Sequence, residues 1–238
     1  MENGSELMII TTQDLQAYTI CPMLCKFNTH PPVDPLLKAL KRALNYLYSF
    51  EMSNHKKVTE ESMMSKWDKI WKQGAGSIDD KLLAERAMDG WLIIKKFMNK
   101  AYLKNKQVPR VVSLEHKTHI QRDIFLQTVF DVVLQGKQEN ITLLEFSTTR
   151  NKNLIYNLEA DIEARAKLYL LKKSIGRSNC ELIRYGLDQN VNKVSIKATK
   201  TFMEDTEDII LGIINNIKDE LFYPSPTCKC KHPDKCRP

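Results

Sequence analysis

Residues 123–146, DIFLQTVFDVVLQGKQENITLLEF, hold the pattern that decides the fold. Two runs rich in β-branched and aromatic residues, 123–135 and 141–146, flank the polar break 136–140, which has hairpin length. Alternation in the first run places Phe125, Gln127, Val129, Asp131 and Val133 on one face, with Asp131 as its only charge. The second run ends on Glu145, again behind apolar residues. Carboxylates on adjacent, otherwise buried strands are costly unless something neutralises them. A divalent cation held by carboxylate oxygens would do so, and would also activate water or stabilise a scissile phosphate. The other possibility is that each residue faces solvent at a strand end.

Working outward, VVSLEH (111–116) reads as a third strand beyond Pro109. The residues before it read as helices. Thr11 with Asp14 is a capping pattern for a helix that must end before Pro22. Leu37, Leu40, Leu44 and Leu47 line one face of a second helix. Trp67 and Trp71 mark a third, and Ser77 with Asp80 opens a longer one through Trp91 and Met98 to about Leu103. Downstream, 153–176 predicts a helix stopped by Gly176, 180–187 and 191–199 two strands, and 204–222 a last amphipathic helix. The order is helices, three strands, a helix, two strands and a helix. It predicts one mixed α/β domain with a helical part (1–108), a core (109–222) and a cysteine-rich tail (223–238).

The composition, 42% hydrophobic and 27% charged over 238 residues, is that of an ordinary globular chain. No apolar stretch approaches the roughly 20 residues of a membrane span, and MENGSELMII lacks the features of a secretory signal. The expectation is a cytoplasmic or nucleocytoplasmic protein, neither secreted nor membrane-bound. A formal net charge of +7 favours a polyanionic partner.

In a reducing compartment the 6 cysteines argue against a disulfide framework. Cys228, Cys230 and Cys236 crowd into the tail, at a density that points to metal. A fourth ligand could be His232, giving a local zinc site, or the distant Cys21 or Cys25, where thiolates alone suit an iron–sulfur cluster. Cys25 and Cys180 otherwise read as inert buried thiols, and the three tryptophans as core. His116 and His119 flank Glu115 and could join a metal site. The basic stretch with Arg150 and Lys152 could touch phosphate.

Three separated segments together resemble the RecB-like branch of the PD-(D/E)XK nucleases, and among them the iron–sulfur exonucleases of CRISPR adaptation and of the AddB type. TTQDLQAYTICPMLCKF (11–27) is similar to the family's opening helix, residues 112–149 to its catalytic strands and CKCKHPDKC (228–236) to its cluster-binding end. The resemblance implies a restriction-endonuclease-like mixed sheet closed by a C-terminal cysteine clasp. Asp131 and Glu145 would be the metal-binding carboxylates, holding Mg2+ or Mn2+ if the site is active, and Glu115 an upstream acidic residue. Cys21, Cys228, Cys230 and Cys236 would hold a 4Fe-4S cluster, with zinc as the alternative. Nucleic acid, DNA before RNA, would be the partner, alongside other protein subunits.

The chain also departs from the family pattern. Ser147 stands where the acidic-x-Lys motif has its lysine, so Lys152 or Lys167 would have to substitute. The helix over 36–48 carries no histidine ligand, Arg165 replaces the Gln of Gln-x-x-x-Tyr, and Thr128 replaces a Gly. These losses together imply a catalytically impaired, nucleic-acid-binding subunit, with Arg165 as a cation that could replace the metal's charge. The alternatives are an active metal-dependent DNA exonuclease with a migrated lysine, and a zinc-stapled interaction module.

Overall fold

The sheet grows from the hairpin. The computed structural model describes residues 7–26, 34–74, 80–121, 123–147, 157–176, 178–187 and 190–222. Within it β3 (Ile124–Gln135) and β4 (Ile141–Ser147) pair antiparallel from Val132↔Leu144 to Gln135↔Ile141. The connecting turn takes Gln138 and Glu139 into positive φ, at 55° and 58°. β2 (Val108–Gln121) runs antiparallel along the full length of β3. β1 (Met8–Thr11) pairs parallel with the first residues of β3, β5 (Cys180–Gly186) pairs parallel with β4, and β6 (Asn192–Lys197) closes the other edge. The result is a six-stranded mixed sheet. β1 escapes sequence reading because 4 residues are too few to show alternation.

The helices are α1 (Thr12–Ile20), α2 (Pro22–Lys26), α3 (Pro35–Asn54), α4 (Glu60–Gly74), α5 (Asp80–Phe97), α6 (Ile162–Ile175) and α7 (Lys200–Lys218). A π turn, Met98–Tyr102, prolongs α5. The capping box at α1 forms as its residues dictate. Asp14 N donates to Thr11 Oγ1 at 3.1 Å, and Thr11 N donates to Asp14 Oδ2 at 2.7 Å.

Two helix boundaries correct the sequence reading. α6 begins only at Ile162, because Asp161 caps it by accepting from Ala164 N at 3.1 Å after a turn at Leu158–Ala160. α7 starts earlier than read, at Lys200, where Thr199 Oγ1 accepts from Phe202 N at 3.2 Å. Gly176, at φ 68°, ends α6 as expected. Ser77, Arg150, Lys152, His232 and Cys228, Cys230 and Cys236 lie outside the described residues.

Each face of the sheet is covered by helices. Leu15, Tyr18, Leu168 and Ile214 of α1, α6 and α7 pack with Leu126, Phe130, Leu143 and Leu182. On the other face Leu40, Leu44, Trp67, Ile94 and Phe97 of α3–α5 pack with Val132, Leu134, Leu144 and Phe146. Among the described residues no helix is long and apolar enough to cross a membrane.

The tryptophans are core, as their spacing predicts. Trp67 stacks on Trp71 at 5.7 Å and donates through Nε1 to Ala87 O at 2.9 Å. Gly90 is the contact that lets α5 approach this ring, since a Cβ there would lie 2.3 Å from Trp67 Cζ2. Gly90→Ala is therefore expected to destabilise by about 1–3 kcal/mol despite the better helix propensity of alanine. Chemical denaturation of the variant checks this, and an unchanged or raised midpoint would show that the ring can yield.

Candidate active site

β3 changes partner halfway along. Its residues Ile124–Gln127 pair with β1, and Val132–Gln135 pair with β4. Asp131 is the β3 residue just before the β4 pairing, and Glu145 directly follows Leu144 at the end of that ladder. The two carboxylates therefore meet where the strands fork, a place where backbone groups are released from the sheet. One of these is used at once, as Phe146 N donates to Asp131 Oδ2 at 3.1 Å.

The simple alternation expected for β3 does not survive the fork. Phe130 and Val133 belong to one core while Val132 and Leu134 belong to the other, so the period slips by one at Asp131. Opposite it, β2 carries Ser113 at φ 52°, and the β2–β3 pairing skips that position. Val133 thus shares a layer with Leu126 and Phe130, which the strict period places on the opposite face.

Both carboxylates are buried and partnered by cations. Lys167 Nζ, from α6, donates to Glu145 Oε1 at 2.6 Å. Arg184, from β5, donates through Nε and Nη2 to Glu145 Oε2, both at 2.7 Å. Its Nη1 reaches Asp161 Oδ2 at 2.6 Å. Lys167 also pairs with Glu163 at 2.7 Å, one turn earlier on α6. Lys41 Nζ, from α3, lies 3.1 Å from Asp131 Oδ2. Glu145, Lys167 and Arg184 are only 5%, 7% and 5% exposed.

Burial alone would raise the Glu145 carboxyl, but Lys167, Arg184 and Lys41 outweigh it and hold the group well below the usual carboxylate range. Burial would likewise lower Lys167, and Glu145, Glu163 and Asp131 instead raise it above its ordinary value. Arg184 is raised in the same way, with Glu145 and Asp161 overcoming its burial.

The structure brings Asp131, Glu145 and Lys167 together, and leaves Glu115 apart. Glu115 lies on β2 opposite Val129, exposed, and accepts from Gln127 Nε2 at 2.7 Å. Arg165 is also elsewhere: its Nε donates to Thr206 Oγ1 at 3.1 Å, and its guanidinium lies 4.9 Å from the Phe202 ring centroid. The cation beside Glu145 is Arg184 instead. His116 stacks on Phe130 and hydrogen-bonds Ser174 and Thr118, at 2.8 and 2.7 Å. Its imidazole is lowered by burial.

Sequence reasoning missed Arg184, Asp161 and Lys41. A signal for Arg184 was present, because Cys180, Leu182 and Arg184 alternate on one face of CELIRYGL, a lone charge on an apolar face as at Asp131.

In this arrangement the residues do not fit a divalent ion, because each Glu145 oxygen is already engaged by a cation. Among the described residues no three His, Cys, Asp or Glu side chains group to hold a metal. Cys21 is fully buried at the end of α1, where its N–H donates to Ala17 O at 2.9 Å. Tyr18, one turn earlier, donates its hydroxyl to Leu221 O at 2.8 Å and meets the Phe222 ring at 6.3 Å. The chain just beyond α7 is thereby held against α1, within a few residues of Cys21.

No family model and no curated protein matches the chain. Among solved structures, a candidate exonuclease from Eubacterium rectale superposes with a TM-score of 0.57 at 10% identity, covering 94% of this chain and 86% of that one. That likeness establishes a shared fold. An alkaline exonuclease from Laribacter hongkongensis superposes with a TM-score of only 0.33 at 11% identity, covering 76% of this chain and 88% of that one.

Proposed function

We propose that this chain is a nuclease-fold protein that binds nucleic acid, DNA before RNA, and does not cut it. The observation that carries this reading is the occupation of both Glu145 oxygens by Lys167 and Arg184, at 2.6 and 2.7 Å. A nuclease-type carboxylate must offer lone pairs to a metal, and these are turned inward to the protein's own cations. The fold shared with a candidate exonuclease and the formal net charge of +7 support nucleic acid as the partner. A second reading, an active nuclease, is favoured by one observation: Lys167 stands where a migrated lysine would have to stand, beside Glu145.

The two readings separate in one experiment. The protein is incubated with single-stranded and duplex DNA in Mg2+ or Mn2+, beside an Asp131→Ala control, and binding is followed as salt is raised. We expect salt-dependent binding, intact DNA, and no change of either kind in cleavage with Asp131→Ala. Cleavage that disappears with Asp131→Ala would establish the second reading. Absence of binding even at low salt, where phosphate contacts are strongest, would leave only a protein-interaction module.

The clasp belongs to the same proposal. Cys21, Cys228, Cys230 and Cys236 would hold a 4Fe-4S cluster, whose contribution is a cross-link between the two ends of the chain. Support comes from the Tyr18–Leu221 hydrogen bond, which holds the chain leading to the tail against the helix that ends at Cys21. Cys228 follows Phe222 by six residues, which can span up to about 20 Å. Exposed Met88 and Leu92, one turn apart on α5, suit contact with another protein subunit.

A further inference from the structure

We propose that Arg184 is a built-in counter-ion that keeps divalent cations off Glu145, and that Asp161 is the positioning residue that locks it there; this rests on reading Asp131 and Glu145 as a nuclease-type carboxylate pair. The placement follows from the sheet. β4 and β5 run parallel with Glu145 directly beside Arg184, so their side chains leave the sheet on the same face. Two guanidinium nitrogens converge on one oxygen, Glu145 Oε2, each at 2.7 Å.

The third nitrogen is held from outside the sheet. Asp161 Oδ2 accepts from Nη1 at 2.6 Å, while its other oxygen, Oδ1, caps α6 at Ala164 N, 3.1 Å away. Asp161 is therefore fixed by a helix start and fixes Arg184 in turn. A guanidinium cannot lose its proton in a protein, so this cation does not come and go with pH. A divalent ion approaching Glu145 would meet Arg184, Lys167 and Lys41 together, and like charges within a few ångströms repel strongly in a buried site.

The arrangement differs from a generic ion pair in its asymmetry. Lys167 takes one Glu145 oxygen and Arg184 the other, so removing Arg184 frees Oε2 while leaving the carboxylate charge compensated from the Oε1 side. Glu145 would then have a free oxygen, with Asp131 on the adjoining strand β3.

The test is Mn2+ binding to the full chain, read from the paramagnetic signal of free Mn2+, for wild type, Arg184→Gln, Asp161→Asn and Arg184→Gln combined with Asp131→Ala. We expect Arg184→Gln to bind Mn2+ at least about tenfold more tightly than wild type, because one buried like charge is removed, and Asp131→Ala to abolish the gain. Asp161→Asn keeps the helix cap, since asparagine caps as well as aspartate, and should show a smaller gain. If Arg184→Gln does not fold, Asp161→Asn decides alone.

Wild type binding Mn2+ through Asp131 as tightly as the variants overturns the counter-ion role, and so does a folded variant that gains nothing. Either result, with DNA still bound and uncut, leaves the proposed function standing. Cleavage by wild type removes that function whatever the Mn2+ affinities are.

Discussion

Replacing Glu145 with alanine lowers the stability of the protein by about 3–5 kcal/mol, the range for stripping one partner from a buried ion pair. The cost comes from what the substitution leaves behind. Lys167 and Arg184 are 7% and 5% exposed and would keep their charges after losing their shortest shared partner, with Glu163, Asp131 and Asp161 left to offset them in part. Desolvation of a charge is costly whether or not its partner remains, so the loss exceeds the net worth of the pair. Replacing Glu145, Lys167 and Arg184 together by apolar residues of similar volume should restore part of it. A change below about 1 kcal/mol for Glu145→Ala, the scale of an exposed pair, would mean that the network is not assembled as described.

The same group sets a pH dependence whose sign can be worked out. The Glu145 carboxyl is held below its ordinary value of 4.5, so the folded state binds its proton less readily than the unfolded chain does. Its contribution is fully present above the unfolded value and is lost as pH falls toward the depressed folded one. Wild type and Glu145→Ala should therefore differ most near neutrality and draw together below about pH 5. Thermal melts of both proteins across this range measure the gap directly. A gap that widens on acidification would contradict the assignment of cations to Glu145.

The second large effect concerns the ends of the chain. Replacing Cys21 with alanine should abolish a visible iron–sulfur absorption and cost on the order of 4–5 kcal/mol, the scale for opening a cross-link across some two hundred residues. Cys21 is fully buried, so part of any loss is packing alone. The control is metal-stripped wild type, which should fall by nearly the same amount, while a chelator should leave Cys21→Ala unchanged. Anaerobically purified wild type that is colourless and contains zinc would replace the cluster with a zinc clasp. A protein free of either metal would remove the clasp altogether.

The features of this chain differ in how much the sequence says about them. Asp131 and Glu145 stand out because a lone charge in a period-two apolar run is a local signal, readable on one strand at a time. The capping box at Thr11 and Asp14 and the stop at Gly176 are equally local, and both form as read. β1 is too short for any period, and the start of α6 depends on Asp161, which sits inside a stretch with helical composition.

The sequence by itself therefore marked the strand pair, the order of elements from β2 onward and two carboxylates set in apolar runs, since each follows from residues close together in the chain. Tertiary structure alone decided which cations answer them. Arg184 reaches Glu145 only because β4 and β5 lie parallel in one register, and Lys167 only because α6 packs over that face. Lys41 arrives from α3 on a separate element, 90 residues from Asp131. A charge on a strand can be read from its neighbours in sequence; its counter-charge is chosen by packing, because electrostatic partnership depends on distance in space.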